Sequence, residues 1–238
     1  MHKGGYMKLR YLGLVIALGL LAAVPGHAQV VGKNLKIFVG YSNLQGEGLQ
    51  NTNTPVGIFD TDFFRDRSTL HGGDVSITGA YKGIGLTGDF SFNRSSRETD
   101  VTNGHNNVHT DIMYFMGGPA FHYAGMRRLE PFARILAGGA YTSHEVSATI
   151  NIPPGGAGQT ATSSFESSST SFAMGVGGGL DVRLGDGPVR IRLIQIDYTP
   201  IFYRDKSIEV LGSPGAIQPF NLEGQRADNV RFAFGIVF

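Results

Sequence analysis

The sequence predicts an all-β fold: a single eight-stranded antiparallel transmembrane β-barrel of the up-and-down type, preceded by a cleaved N-terminal signal peptide. Three observations lead to this prediction. Eight segments alternate apolar residues with small or polar ones at a period of two, which is typical of strands whose two faces meet different surroundings. The connections between these segments alternate between short and long, and the first residues of the chain have the composition of a secretory signal.

Residues 1–28, MHKGGYMKLRYLGLVIALGLLAAVPGHA, form the predicted signal peptide. A basic region precedes an apolar stretch that is shorter than a membrane-spanning helix, and Ala28 is the expected cleavage position. Met7 is an alternative start, because a basic region and an apolar run also follow it. Residues 29–238 are assigned to the barrel domain, in which we expect no spanning helix.

The predicted strands each have one apolar face. They lie near residues 34–43, 74–82, 84–93, 108–121, 131–142, 171–185, 188–199 and 229–238. In the fourth strand the apolar face is assigned to Val108, Thr110, Ile112, Tyr114 and Met116.

The seventh strand changes phase after Leu193. A β-bulge near Leu193 and Ile194 would keep Gln195 and Asp197 off the apolar face, whereas without a bulge these two polar residues would continue it. We favour the bulge.

Two tight turns fix the predicted pairing of their strands. A turn at Lys82-Gly83 sets Val75 opposite Phe90, so that apolar residues meet. A second turn, Asp186-Gly187, sets Leu180 opposite Leu193 and Asp181 opposite Arg192. A slip of one residue would exchange the two faces of each strand.

The distribution of loops predicts the environment of the barrel. Short turns fall at one end, and long loops at about 44–73, 94–107, 143–170 and 203–228 fall at the other, as in outer-membrane barrels. The apolar faces should then meet lipid. The alternatives are a soluble sandwich or a secreted soluble barrel of the lipocalin type, which would turn the apolar faces inward.

The polar faces predict a charged interior. We expect a lumen charge network of three carboxylates and three guanidinium groups, formed by Asp89, Asp111, Arg134, Asp181, Arg192 and Arg231. An eight-stranded barrel is just wide enough to be filled by side chains, so this network is interpreted as a structural plug. The alternative is a narrow gated conduit for water or small ions.

Composition and local motifs give little sign of other chemistry. Without the signal, 17 basic residues face 19 acidic ones, which offers no electrostatic basis for binding nucleic acid. GVGGG at 175–179 has no helix after it, and the His105 and His109 spacing would converge on a metal only in a helix. Ser143, His144 and Glu145 are adjacent on a strand, so the first two point to opposite faces. We therefore expect no catalytic residue, no cofactor and no metal.

Three stretches of the sequence are informative together: MYFMGGPAFHY followed by PFARILAGGAY, then FAMGVGGGLDVRLGDGPVRIRLIQIDY, and the terminal NVRFAFGIVF. With them, the chain resembles the outer-membrane β-barrel domain family, the small OmpA-type and opacity-protein-type barrels. The resemblance implies insertion into the outer membrane of a Gram-negative-type bacterium. It also implies that the barrel assembly machinery reads the terminal strand, at the matching residues Phe232, Phe234, Ile236 and Phe238.

The expected function is that of a non-enzymatic integral outer-membrane barrel with a structural or surface-interaction role. Its expected partners are outer-membrane lipids, the assembly machinery and an extracellular ligand or host surface that contacts four long loops. A small pore for water or solutes is the first alternative, and a lipid-modifying outer-membrane enzyme is the second.

Overall fold

A computed structural model describes most of the chain. The described residues are 35–46, 68–101, 104–123, 125–126, 128–151, 160–185, 187–204, 206–211, 217–222 and 225–238. The predicted signal peptide and its cleavage position Ala28 lie outside them. Within this part of the chain, no helix is long and apolar enough to cross a bilayer.

Eight long antiparallel strands build the fold. They are β1 (Leu35–Gly46), β2 (Ser68–Tyr81), β3 (Ile84–Val101), β4 (Gly104–His122), β5 (Leu129–Asn151), β6 (Thr160–Arg183), β7 (Arg190–Tyr198) and, at the C-terminus, β12 (Val230–Val237). Four short strands lie between the last two: β8 (Ile201–Phe202), β9 (Lys206–Leu211), β10 (Ile217–Leu222) and β11 (Arg226–Ala227).

The sheet closes on itself, which confirms the predicted barrel. Each strand from β1 to β7 pairs with the next, β12 pairs with β7, and β12 also pairs with β1. Backbone hydrogen bonds between Ile37 and Phe238 fasten the two terminal strands at their ends, at 2.9 and 3.1 Å. Closure leaves the terminal strand no free edge along the barrel.

The β2–β3 hairpin has the predicted turn and register. Lys82 and Gly83 have φ angles of 52° and 85°, as a type I′ turn requires. Val75 pairs with Phe90 as predicted. Glycine suits the second turn position because it adopts positive φ without steric cost.

The predicted bulge in β7 is confirmed, and it changes one predicted pair. Asp181 faces Arg192 as expected, but Leu180 faces Ile194 instead of Leu193. The register with β12 shifts at the same place. Leu193 is therefore the additional residue, and Gln195 and Asp197 are buried inside the barrel.

The apolar faces point outward and the polar faces point inward. Phe232, Phe234 and Ile236 of β12 are 39–56% exposed, whereas the intervening Arg231 and Ala233 are buried. The same alternation holds along β2, β3, β5, β6 and β7. A soluble barrel would have the opposite arrangement, so the lipocalin-type alternative is excluded.

The predicted assignment of faces in β4 is wrong. Tyr114 and the residues in phase with it point inward, because Tyr114 lies opposite the buried Ser91 of β3. Phe115 points outward and its ring lies 4.9 Å from that of Phe90. Both faces of β4 are largely apolar, so its own alternation could not decide which one meets lipid. Pairing with β3 decides it.

Several strands continue beyond the predicted bounds into the predicted long loops. β5 and β6 have 23 and 24 residues, whereas roughly 9–11 tilted residues cross a bilayer. Residues 143–151 and 160–170 are therefore strand rather than loop. The apolar alternation stops near Tyr141 and Phe172 while the backbone pairing continues, which is why the sequence pattern ends early.

Two short pairings complete the sheet structure. β8 pairs with β6 and with β11, and so extends the barrel wall past Thr199 and Pro200. β9 and β10 form a separate two-stranded sheet.

Candidate functional site

The interior of the barrel is the candidate site, because the ionised side chains converge there. Its side chains form successive layers from the short-turn end to the long-loop end. The inward phase of each strand, set by hairpin register and by the β7 bulge, determines which residues contribute.

At the short-turn end lies the mouth cluster, defined as Lys36, His122, Glu130 and Arg190. Glu130 accepts a hydrogen bond from Lys36 and lies 3.4 Å from both His122 Nδ1 and Arg190 Nε. Lys36 Nζ is 3.1 Å from His122 Nδ1. The buried carboxylate of β5 thus gathers side chains from three other strands, β1, β4 and β7.

Above the mouth, the guanidinium group of Arg192 contacts two aromatic rings. Its guanidinium carbon is 4.2 Å from the ring centre of Phe38 and 4.1 Å from that of Phe132. It donates two hydrogen bonds to Asp181, at 2.7 and 3.1 Å, and one to Gln195 at 2.6 Å. Cation–π contacts and a bidentate ion pair together compensate the burial of this charge.

Inner-face glycines make space for those rings. A Cβ added at Gly179 would lie 2.8 Å from Cε1 of Phe132, and one added at Gly40 would collide with Phe38. The glycines that the alternation places inside the barrel therefore admit the aromatic rings that hold Arg192.

The central cluster comprises Asp89, Arg134, Asp197 and Arg231. Arg134 donates to both oxygens of Asp197 at 3.0 and 2.7 Å, and its Nη1 lies 2.8 Å from Asp89 Oδ2. Arg231 donates to Asp89 at 2.9 Å and to Asp197 at 3.0 Å. The side chains are at most 2% exposed.

The central cluster crosses the lumen. Its four members come from β3, β5, β7 and β12, and no two of these strands are neighbours except β7 and β12. Ion pairs between them therefore connect opposite parts of the wall.

Toward the long-loop end, an apolar layer fills the lumen. Its members are Leu44, Leu70, Ile112, Tyr114, Met116, Leu136, Ala140, Ala173 and Ile201. The hydroxyl of Tyr114 accepts a hydrogen bond from Asn229 at 3.0 Å and donates one to the carbonyl of Thr199 at 3.3 Å. The polar atom of this aromatic residue is thus satisfied inside the layer.

Five of the six residues predicted for the lumen network lie inside the barrel: Asp89, Arg134, Asp181, Arg192 and Arg231. The prediction for Asp111 is wrong. It shares the outward face with Arg94, which donates two hydrogen bonds to it at 2.6 and 2.7 Å. The reversed faces of β4 account for this error.

Sequence reasoning missed several interior residues. Asp74 lies two residues before Ser76 and in the same inward phase, and Glu130 stands in phase with Arg134, so alternation alone could have identified both. Alternation could not have identified Phe38 and Tyr114, because a simple pattern with one apolar face and one polar face does not place apolar residues inside the barrel next to charges.

The barrel and its interior define the class: an integral membrane β-barrel of the outer-membrane type, with an apolar exterior and an ion-paired lumen. Exposed aromatic residues occur near both ends of the outer surface, with Tyr41 and Phe172 toward the long loops and Tyr81 and Phe121 toward the short turns. Phe232, Phe234 and Ile236 lie on this surface, and their recognition by assembly machinery stays a prediction.

The hydrolase-like trio lies beyond the membrane-spanning part of β5. Ser143 pairs with the outward Asp111, whereas His144 pairs with the inward Thr110, so the two side chains occupy opposite faces. His144 Nδ1 is 3.1 Å from Thr110 Oγ1, and burial lowers the pKa of His144 to about 4. No nucleophile–base pair is formed by these adjacent residues.

No protein-family description matches the chain, and no curated protein matches it. Among solved structures, the attachment invasion locus protein Ail of Yersinia pestis is 15% identical, with 86% of this chain and 99% of that chain covered and a TM-score of 0.45. Neisserial surface protein A is 7% identical, with 85% and 95% covered and a TM-score of 0.39.

The outer membrane protease OmpT from Escherichia coli is 8% identical, with 87% of this chain and 97% of that chain covered and a TM-score of 0.49. With TM-scores below 0.5, none of these similarities supports a functional inference.

Proposed function

We propose that this chain is a non-enzymatic outer-membrane barrel whose sealed interior supports a surface-interaction structure outside the membrane. The single observation that carries this proposal is the central cluster. Arg134 and Arg231 are bound by Asp89 and Asp197 across the lumen, with almost no exposure.

A barrel filled in this way serves as a scaffold rather than a pore. Moving an ion past the central cluster would require breaking buried ion pairs, and each break costs about 3–5 kcal/mol. The apolar layer adds a second obstacle, because it offers a passing ion few polar partners. The two obstacles lie in series along the lumen.

The surface role is supported by the long strands. Beyond the barrel, β3, β4, β5 and β6 continue as neighbouring strands, with pairs from Ser95–Thr110 through Val101–Gly104 and from His144–Ser167 through Asn151–Thr160. The eight further residues of β5, 144–151, span ~26 Å at about 3.3 Å per residue. This four-stranded extension, named the outer sheet, offers a large backbone-ordered surface for recognition.

A complementation experiment tests this division of roles. In a strain lacking the protein, the full chain is compared with a variant in which residues 95–110 and residues 143–169 are each replaced by a short Gly-Ser connection. The variant keeps the membrane-spanning strands, so both proteins should show the gel shift between boiled and unboiled samples that marks a folded barrel.

If the outer sheet mediates function, only the full chain restores adhesion of the cells to surfaces, although both chains restore resistance to detergent. Restoration of adhesion by the shortened variant would contradict the surface role. A steady open channel of the full chain in planar bilayers would contradict the sealed lumen.

A further inference from the structure

Four polar atoms on one wall of the lumen have no hydrogen-bond partner among the described residues. They are Ser42 Oγ, Asp74 Oδ1, and both side-chain polar atoms of Asn93. All three side chains are in residues that are 0% exposed. A buried polar atom left unpaired costs about 1–3 kcal/mol, so a native structure normally satisfies it with protein or with ordered water.

The strand register brings these residues together. Ser42 of β1 pairs with Gly72 of β2, and Gly72 pairs with Asn93 of β3. Asp74 is two residues from Gly72 and in the same inward phase. Neighbouring strands are about 4.8 Å apart and residues two apart are separated by about 6.6 Å, so the three side chains surround one place. Gly72, at the centre, contributes no side chain, and the backbone of β3 approaches it closely, since a Cβ there would lie 1.7 Å from the carbonyl oxygen of Phe92.

This place, named the chamber, lies between two closed layers. On the long-loop side the next inward pair is Leu44 and Leu70, both 0% exposed and both in the apolar layer. On the other side Arg231 approaches, and donates to Ser91 at 2.7 Å. The chamber is thus a polar place between the apolar layer and the central cluster.

The charges around the chamber leave one carboxylate in excess. Four buried carboxylates, Asp74, Asp89, Asp181 and Asp197, share this part of the lumen with Arg134, Arg192 and Arg231. Asp74 is the one without a close guanidinium: Arg231 Nη1 is 3.9 Å away, beyond hydrogen-bond distance. Its Oδ2 accepts only the amide of Gln195, at 3.0 Å, among the bonds of the described residues.

We infer that the chamber is an internal binding site for ordered water, held by Ser42, Asp74 and Asn93. A water molecule here donates to Asp74 Oδ1 and to Asn93 Oδ1, and accepts from the hydroxyl of Ser42. Three hydrogen bonds are typical of buried water, and the site is polar on several sides, as such a site must be. The water solvates the carboxylate whose nearest guanidinium among the described residues, that of Arg231, is 3.9 Å away.

The direct test is a crystal structure of the full chain at a resolution that shows ordered water. We expect density within hydrogen-bond distance of Asp74 Oδ1 and of at least one of the other two side chains. Direct bonds between those side chains, an empty chamber, or a metal ion at coordination distance would overturn the inference.

A measurement of thermal stability gives an independent test, because a dry chamber and a hydrated chamber predict changes of Tm in opposite directions. Asn93→Leu has nearly the volume of the original side chain and removes two unpaired atoms, so in a dry chamber it raises Tm. In a hydrated chamber it displaces water from Asp74 and lowers Tm. Tm equal to or above that of the unmodified protein overturns the inference.

Thr78→Val is the matched control. It removes a buried hydroxyl that is already satisfied by Thr87, at 2.7 Å, in a row closer to the short turns. It should lower Tm while leaving the chamber water in place. Loss of that water in this control, with the chamber residues intact, would also count against the assignment to Ser42, Asp74 and Asn93.

Discussion

At the residue scale, a few buried charges hold the barrel together by contacts that cross its interior. Arg192 illustrates the rule that a buried cation needs several partners at once. Asp181 supplies charge and hydrogen bonds, while the rings of Phe38 and Phe132 both contact the guanidinium group. A short or apolar residue in place of Arg192 would leave the buried carboxylate of Asp181 without its opposite charge and without its hydrogen-bond donor.

Arg192→Ala should therefore reduce stability strongly. Removing one partner of a buried ion pair costs about 3–5 kcal/mol. The control is Arg226→Ala, since Arg226 pairs with Asp228 on the surface and its side chain is 57% exposed. An exposed pair contributes less than about 1 kcal/mol. The measurement is the temperature at which the folded gel band disappears, and equal temperatures for the two variants would contradict the role of Arg192.

Residue identity alone predicted the interior well where the two faces of a strand differ. Asp89, Asp181 and Arg231 could be placed inside because their outward neighbours are apolar or glycine. Asp111 could not be placed, because the sequence does not distinguish a carboxylate in the lumen from one that pairs with Arg94 on the outer face. Only the register of β3 and β4 separates the two cases.

At the element scale, the bulge in β7 decides whether the central cluster forms. With Leu193 as an additional outward residue, Gln195 and Asp197 return to the inward phase. Asp197 then binds both Arg134 and Arg231. One extra residue thus preserves both the apolar exterior and the ion-paired interior.

Two single-residue deletions in β7 test this role. Deleting Leu193 removes the bulge but restores strict alternation, with Arg192, Gln195 and Asp197 all inward, so the barrel should still fold. Deleting Ile196 forces Gln195 or Asp197 toward lipid and should abolish the gel shift of the folded barrel. Folding of both variants to the same yield would show that the phase of β7 does not matter.

Tight hairpins were the elements most open to prediction, because turn chemistry sets their register over many residues. Strand β4 was the hardest to predict, because neither of the two predicted tight turns connects it and both of its faces are apolar. The strand extensions beyond Tyr141 and Phe172 also escaped prediction. In that region Ser and Thr replace the apolar residues, so pairing continues without the periodic signal that marks a lipid-facing strand.

At the scale of the whole molecule, a single arrangement explains the composition. The exterior between the aromatic residues is apolar because it meets lipid, and the lumen is filled by charges that neutralise one another. The outer sheet continues four of the eight strands away from the membrane. Under the proposed function, the interior of the barrel provides stability, and the outer sheet formed by the same strands provides the surface for recognition.

Lipid contact at Phe234 is the most direct test of this arrangement. The chain has no cysteine, so Phe234→Cys can carry a single environment-sensitive fluorophore on the refolded protein. Phe234 is 56% exposed on the outer face of β12. In vesicles whose acyl chains carry bromine, we expect its fluorescence to be quenched, while the same label at Ser96→Cys, on the extended part of β3, is not. Unquenched, water-like emission from position 234 in the folded protein would contradict the account.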